Sequence, residues 1–201
     1  MLYPAFYISL FTYQLSLIPA QKMTVKLIVA ALVFTTTLNT QTKILPKLEN
    51  PSLVIYKNKR MLKVFDGKKL VKTYTVVLGF TPNGDKETEG DGKTPEGDFY
   101  VFTKNPESRF HLSLGISYPR IEDAKRGLKQ KLISQEEYDE IAIAIAEKRM
   151  PLQKTKLGGE IYIHGGGTES DWTDGCVALK DEEIAELFDA VPVGTRVTVR
   201  P

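Results

Sequence analysis

The stretch from Ile161 to Lys180 reads IYIHGGGTESDWTDGCVALK, and the interpretation of the whole chain depends on it. It contains one of the two histidines, His164, the only cysteine, Cys176, and the only tryptophan, Trp172. The glycines among them let the backbone approach a ligand closely. Two interpretations are open at this point. Either these residues form a catalytic site, or His164 ends a buried strand and Cys176 is a small buried apolar residue, as most free cysteines are.

Length and charge limit the class of protein. The chain has 201 residues, enough for one domain with a substantial core. The formal net charge is +2, and both excess charges are lysines near the N-terminus, Lys22 and Lys26. The neutral remainder gives no attraction for phosphates, so we expect no nucleic-acid partner and a small or zwitterionic ligand instead. One cysteine excludes an intramolecular disulfide.

Residues 1–40 are predicted to be a signal peptide or an N-terminal membrane anchor. Two apolar runs, residues 2–20 and 27–38, are separated by a short basic segment. If translation starts at Met23, the basic segment and the second run form a secretory signal peptide, which we prefer. A start at Met1 makes the first run an uncleaved anchor, and a buried core helix is the third interpretation. The first two place the folded part outside the cytoplasm, in the periplasm or cell envelope.

The folded domain is predicted to span residues 52–201, after a polar linker with two prolines at residues 41–51. Three runs rich in β-branched and aromatic residues follow, and we expect them to form adjacent strands at one edge of a sheet. They cover residues 53–57, 60–66 and 69–79.

The segment from Gly79 to Gly97 is rich in glycine and proline and predicts a long loop. Its sequence at residues 92–94, Gly-Lys-Thr, is similar to part of a phosphate-binding loop. Glu87 stands where such a loop needs a glycine, and Pro95 removes an amide donor. The sequence therefore predicts a structured loop and no nucleotide cofactor.

The second half of the domain is predicted to contain two clear helices and a last strand. Ser134 and Glu137 form a capping box at the start of a helix that runs to about Met150. A helix capped by Asp181 follows, and then a strand at residues 195–200. Because strands and helices do not alternate, the pattern indicates an α+β fold, mainly β, with two or three helices. Two further strands and a short charged segment are predicted at residues 99–104, 111–120 and 121–130.

The residues around Cys176 suit a thiol nucleophile. Thr173-Asp174-Gly175 precedes the cysteine, and the helix capped by Asp181 follows shortly after it. A cysteine ahead of a helix, beside small residues and within reach of an imidazole, is in an environment that lowers a thiol pKa. The loop after His164 is long enough to fold back to the cysteine. Cys176 is therefore a candidate nucleophile and His164 a candidate proton donor and acceptor.

The order of these motifs resembles the L,D-transpeptidase (YkuD-type) catalytic domain family over most of the predicted domain. The histidine-glycine pair at His164 and the Thr-x-Gly-Cys-Val sequence at residues 173–177 carry the resemblance. The stretch from Asp171 to Cys176 resembles in particular the murein L,D-transpeptidase-like branch. Further similar segments are residues 86–97, 115–119 and 193–197.

The resemblance implies an L,D-transpeptidase-type, β-sandwich-like sheet core, a peptidoglycan stem-peptide substrate and no cofactor. Cys176 would attack the amide after the diamino acid of the stem, and His164 would deliver the proton to the leaving amine. A thioester acyl-enzyme would result. If an amine accepts the acyl group, the stem is crosslinked or a wall-attached protein is joined to it. If water accepts it, the protein is an L,D-carboxypeptidase or releases a wall-bound protein.

Two interpretations from other classes stay open. The fold could serve as a non-catalytic wall-binding module, although an intact His164 and Cys176 argue against that. A metal site could use His164, Asp174 and Cys176, but the paired ligand spacing of zinc sites is missing. We predict no metal.

The chain departs from the family pattern at two positions next to the cysteine. Ala178 stands where the family often has arginine, and Asp174 stands where it often has histidine or arginine. An acidic neighbour opposes thiolate formation unless it is turned away or paired with His164. We therefore expect the substrate and the acceptor to differ from those of the better known members.

Supporting roles around the nucleophile are predicted for its own turn. The amides of Gly175 and Cys176 are candidates for stabilising the oxyanion. Thr173 or Asp174 would orient His164, or both are plain loop residues.

Four further residues are predicted to bind substrate: Gly165, Trp172, Tyr118 and Arg120. The forked donors of Arg120 suit a stem carboxylate. Core packing is the favoured alternative for Tyr118, and Trp172 either walls the pocket or covers a loop. The second histidine, His111, is predicted to be a satisfied structural residue.

Overall fold

Eight strands form one curled sheet in the part of the chain that the computed structural model describes, residues 45–201. Three α-helices and one 3-10 turn, Lys57–Lys59, accompany the strands there. The prediction of a mainly β fold with two or three helices is confirmed. The predicted signal peptide or anchor at residues 1–40 lies outside the described residues. The strands are β1 (Pro51–Tyr56), β2 (Met61–Asp66), β3 (Lys69–Thr75), β4 (Gly97–Ser108), β5 (His111–Ile116), β6 (Tyr162–His164), β7 (Val177–Ala178) and β8 (Arg196–Arg200), and the helices are α1 (Ile121–Lys129), α2 (Gln135–Ala146) and α3 (Asp181–Ala190).

The last strand, β8, lies at the centre of the sheet, whose order is β3-β2-β1-β8-β4-β5-β6-β7. It pairs parallel to β1 and antiparallel to β4. β6 and β7 are also parallel, and the remaining neighbours are antiparallel. The register between β4 and β5 shifts twice, between Val101 and Thr103 and between Asn105 and Ser108. Such irregularities bend a strand and increase its twist, which curls the sheet.

The chain after β3 completes the curl by reaching the opposite edge of the sheet. Val77 forms an antiparallel bridge with Ala178, and Gly79 forms a parallel bridge with Thr173. The residues predicted to form one strand, 69–79, therefore pair with two different parts of the sheet. The first of these residues pair with β2, and the last of them pair with the segment around Cys176.

One face of the central strands forms the main core. Side chains alternate along each strand, so every second residue points into it. The alternation predicted for Val197 and Val199 is confirmed, since both are buried. α3 packs Ile184 and Leu187 against the same core. Burial of each such side chain contributes about 1.5–3 kcal/mol.

The helices α1 and α2 cover a second, smaller core, formed by Ala124, Ile133, Ile141 and Leu157. α2 begins at the predicted capping box: the amide of Glu137 donates to Ser134 Oγ at 3.2 Å, and the amide of Ser134 donates to Glu137 Oε2 at 2.8 Å. None of the helices in residues 45–201 is long and apolar enough to cross a membrane.

α2 ends at Ala146, before the predicted end at Met150. Lys148 adopts a left-handed conformation with φ 53°, and the amide of Arg149 turns back to donate to the carbonyl of Ala144 at 2.8 Å. This bond satisfies one of the carbonyls that a helix C-terminus leaves without a partner.

The segment before β1 contributes two residues to the main core. Leu45 and Leu48 are 8% and 9% exposed. β1 begins at Pro51, one residue before the predicted domain boundary. Residues 45–50 of the predicted linker therefore pack on the domain, and the part of the linker before them stays a prediction.

A buried lysine anchors the long loop between β3 and β4. Lys57 is 2% exposed, and its Nζ donates to the carbonyl of Thr94 and to Glu96 Oε1, both at 2.8 Å. The first turn of the domain is thereby tied to the end of the loop.

A second buried lysine, Lys86, closes the middle of the same loop. It is 2% exposed and donates to Asp91 Oδ1 at 2.8 Å. Burial disfavours the charged form of Asp91, but hydrogen bonds from Lys86 and from three backbone amides outweigh it and lower the pKa of this carboxyl group. The predicted loop is therefore fixed by its own polar contacts.

We expect Lys57→Met to lower the free energy of unfolding by about 2–4 kcal/mol, because the loop carbonyls and Glu96 lose a buried donor. Urea denaturation followed by circular dichroism measures the change. Lys68→Met, at an exposed turn, is the matched control. A loss no larger than that of the control would contradict the anchoring role.

Candidate active site

The parallel pairing of β6 with β7 brings His164 and Cys176 to one face of the sheet. Ile163 pairs with Val177, and both are 0% exposed in the core. Because side chains alternate in direction, the residues next to this pair point to the opposite face. His164 follows Ile163, and Cys176 precedes Val177, so their side chains share that face.

The imidazole of His164 is oriented by the carbonyl group of the next residue. His164 is 2% exposed, and its Nδ1 lies 2.6 Å from the oxygen of Gly165. A carbonyl only accepts, so Nδ1 carries the hydrogen and Nε2 is the basic atom of the neutral ring. Thr173 and Asp174 were the predicted orienting residues, and in the structure the Gly165 carbonyl occupies that position.

Two aromatic rings enclose the imidazole. Phe110 stacks on His164 with 4.6 Å between ring centroids and 21° between planes, and Trp172 approaches edge-on at 5.5 Å. Arg109 lies over the Phe110 ring at 4.6 Å. Burial lowers the pKa of His164 below its ordinary value; the bond to Gly165 opposes this shift, and the charge of Arg109 adds to it. The imidazole is therefore neutral at pH 7.

The sulfur of Cys176 is half-buried and held by two backbone groups. The amide of Tyr162 donates to Sγ at 3.3 Å, and the thiol donates to the carbonyl of Glu160 at 3.5 Å. Burial raises the pKa of the Cys176 thiol to about 11; the Tyr162 amide opposes this shift, and the charge of Asp174 adds to it. No hydrogen bond between Sγ and the His164 ring is present among the contacts of residues 45–201. The surroundings therefore raise the thiol pKa instead of lowering it as predicted, which favours the protonated thiol in the free protein.

The turn before Cys176 is fixed by Thr173. Its Oγ1 donates to the carbonyl of Cys176 at 2.8 Å and accepts from the amide of Gly175 at 3.2 Å. One of the two predicted oxyanion donors, the Gly175 amide, is thus engaged with a hydroxyl group. Gly175 has φ 124°, and a Cβ there would lie 2.7 Å from the carbonyl oxygen of Lys93. Only glycine fits this position without a shift of the backbone.

The glycines after His164 are held by two residues that the sequence did not point to. The amide of Gly165 donates to the carbonyl of Phe110 at 3.1 Å, and the amide of Gly166 donates to Asp181 Oδ1 at 2.8 Å. Asp181 is the first residue of α3, and its carboxylate holds this loop instead of capping the helix as predicted. No local pattern marks either residue, because both contacts join segments that are distant in sequence.

Two residues predicted to bind substrate lie elsewhere. Tyr118 is 0% exposed and donates its hydroxyl hydrogen to a backbone carbonyl in the core, which is the core-packing alternative. Arg120 pairs with Asp123 at 3.1 Å and borders a cavity of about 350 Å³ whose lining includes neither His164 nor Cys176. Substrate binding by these two residues stays a prediction that no contact here supports.

Asp174 and His111 both lie at the surface. In the described part of the chain, no contact joins Asp174 to His164. His111 begins β5 in a left-handed conformation with φ 72° and is exposed, unlike the structural histidine that was predicted. Within residues 45–201, no three His, Cys, Asp or Glu side chains are placed to hold a metal ion.

The chain is similar to known proteins in sequence and in fold. The family model described as the L,D-transpeptidase catalytic domain, YkuD, matches residues 50–199. "Putative L,D-transpeptidase YqjB" of Bacillus subtilis (strain 168) is 26% identical over 157 residues, which are 75% of this chain and 71% of that protein.

Solved structures share the fold. The helical cell shape determining protein Pgp2 from Campylobacter jejuni is 22% identical, with a TM-score of 0.54 over 75% of this chain and 47% of that chain. A point mutant of the same protein gives 23% identity and a TM-score of 0.53 over 78% and 49% of the two chains. This chain thus spans about half the length of these structures. Because the matched domain covers well over half of the sequence, the chain belongs to the YkuD family of L,D-transpeptidase catalytic domains.

Proposed function

We propose that the protein is a peptidoglycan L,D-transpeptidase that acts through a thioester on Cys176. One observation carries the proposal: His164 and Cys176 share one face of the paired strands β6 and β7, with Nε2 of His164 as the basic atom. The family supplies the substrate class, the stem peptide of peptidoglycan. The acceptor and the biological role are parts of the proposal.

The first half of the proposed reaction forms the acyl-enzyme. Nε2 of His164 takes the proton of the Cys176 thiol, and the sulfur attacks the carbonyl carbon of the amide after the diamino acid. The C–N bond then breaks, and the imidazolium gives its proton to the leaving amine. A thioester on Cys176 and a free amino acid result.

The second half transfers the acyl group. An acceptor amine attacks the thioester carbon, His164 takes a proton from the amine, and the thiol is restored as the new amide forms. Water in place of the amine gives a free carboxylate, which is the hydrolytic alternative. Because apo active sites often lack their catalytic hydrogen bonds, the missing contact between Sγ and His164 does not oppose the mechanism.

Oxyanion stabilisation is proposed for the amide of Cys176. The Gly175 amide already donates to Thr173 Oγ1. It would contribute only if that hydroxyl group turned away. The enclosing rings of Phe110 and Trp172 exclude water from the imidazole, which strengthens every electrostatic contact in the site.

We propose export to the cell envelope through a signal peptide that starts at Met23 and ends near residue 40. N-terminal sequencing of the protein recovered from the envelope checks this, and we expect a mature start after the second apolar run, near residue 40. A mature start before Met23 would contradict the proposed translation start.

Purified protein incubated with muropeptides is expected to gain the mass of an acyl group, and Cys176→Ala is expected to gain none, because the thioester needs the sulfur. Mass analysis of the intact protein and of the products measures both. Dimers with loss of a terminal amino acid indicate an amine acceptor, and trimmed monomers alone indicate water. If the protein stays unmodified and the muropeptides stay unchanged, the proposal that the protein is an enzyme is contradicted.

Phe110→Ala is expected to move the acid limb of the pH profile of kcat/KM to higher pH. The ring keeps the imidazole buried, and burial lowers the pKa of His164, so exposure returns this pKa towards its ordinary value. His164 in the native protein therefore stays neutral, and able to act as a base, down to a lower pH than in the variant. Phe188→Ala, on α3, is the control and keeps the native profile. An acid limb that Phe110→Ala leaves in place would refute the role of the ring.

A further inference from the structure

The residue that accepts the thiol hydrogen has an unfavourable backbone conformation. The carbonyl of Glu160 lies 3.5 Å from Sγ of Cys176. Glu160 has φ 54°, in the left-handed region that residues with a Cβ avoid. Its side chain is exposed, so packing of the side chain does not impose this conformation. Another contact must hold the Glu160 peptide in place.

That contact is the side-chain amide of Gln153. Its Oε1 accepts from the amide of Glu160 at 2.7 Å, and its Nε2 donates to the carbonyls of Tyr118 at 3.0 Å and Pro151 at 2.7 Å. Both hydrogens and the oxygen of the amide are therefore engaged, which fixes its orientation. Gly159 packs against the same residue, since a Cβ there would lie 2.1 Å from the Gln153 carbonyl oxygen.

We infer that Gln153 is a positioning residue that holds Cys176 as a protonated thiol in the free protein. It holds the amide of Glu160, and the carbonyl oxygen of the same residue faces the sulfur. A carbonyl oxygen carries partial negative charge, so it accepts the S–H group and repels a thiolate. The inference rests on the proposed function in taking Cys176 as the nucleophile.

The arrangement separates the resting thiol from its base. In the free protein the S–H group points to the Glu160 carbonyl, and residues 45–201 contain no hydrogen bond from it to Nε2 of His164. The thiol hydrogen must leave the Glu160 carbonyl before His164 takes the proton. Gln153 thereby suppresses the reaction of Cys176 with electrophiles other than the substrate.

Other groups also act on the sulfur, and a change at Gln153 leaves all of them in place. The amide of Tyr162 favours the thiolate, and the imidazole of His164 stands on the same face. Charged groups face the sulfur from the other segments packed around it. These are Asp174 in its own turn, Lys86 in the loop after β3, and Arg109 in the hairpin between β4 and β5. A shift that follows removal of Gln153 therefore reports the carbonyl contact.

The test is the rate of alkylation of Cys176 by iodoacetamide in the full chain near neutral pH. The reagent reacts with the thiolate, so below the pKa the rate is proportional to the thiolate fraction. We expect Gln153→Met, which keeps the volume of the side chain, and Gln153→Ala to react about 3- to 10-fold faster than the native protein. The matched control is Gln135→Met, because Gln135 is exposed and its side chain bonds to the nearby Asp139.

Access to the sulfur is measured separately by a bulky maleimide. Both reagents need the thiolate, so the ratio of their rates reports access and not pKa. Faster alkylation with an unchanged ratio supports the inference. An unchanged alkylation rate in folded Gln153→Met overturns the inference. A ratio of rates that rises in favour of the maleimide also overturns it, because the sulfur has then become more accessible and the role of Gln153 is merely structural. Alkylation needs no turnover, so a failure to acylate muropeptides contradicts the proposed function without affecting this test.

Discussion

Four backbone hydrogen bonds hold the turn that carries Cys176, and the site depends on them. They close the curled sheet at the seam where its two edges meet. On one side of the turn Val77 and Ala178 bond to each other, at 3.0 and 2.9 Å, and on the other side Thr173 bonds to Leu78 and Phe80, at 3.2 and 3.0 Å. The segment between these anchor points is too short to move independently of the sheet. The nucleophile is therefore positioned by the sheet closure and not by a free loop.

The seam also explains the concentration of glycines in the loop after β3. A Cβ at Gly79 would lie 2.1 Å from the carbonyl oxygen of Gly92, and one at Gly175 would lie 2.7 Å from that of Lys93. Three backbone segments thus meet with no room for side chains. Ala178, where the family often has arginine, is 0% exposed within this contact.

Local patterns were enough to predict much of the fold. The capping box of Ser134 and Glu137, the alternation of Val197 and Val199 and the glycine-rich loop are each readable from neighbouring residues. The motif around Cys176 indicated the family, which the match over residues 50–199 shows. These signals are short in sequence, so no tertiary contact was needed to read them.

Contacts between distant segments could not be predicted in this way. The stacking of Phe110 on His164 joins a β-hairpin to a strand more than fifty residues later. A phenylalanine or a histidine in the sequence does not indicate which residue it packs against. The bond of Asp181 to the glycine loop competes with helix capping, which the same residue type also favours. The carbonyl oxygen of Gly165 orients His164. Because every residue has a backbone carbonyl, the sequence does not indicate this contact.

The central position of β8 has a consequence for how the domain is made. β1 and β4 do not pair with each other, because β8 lies between them and pairs with both. A growing chain therefore cannot assemble the sheet until residues 196–200 are available. Until then β1 and β4 lack the strand that lies between them, and the main core lacks Val197 and Val199. A protein of this topology completes its central sheet only at the end of its own synthesis.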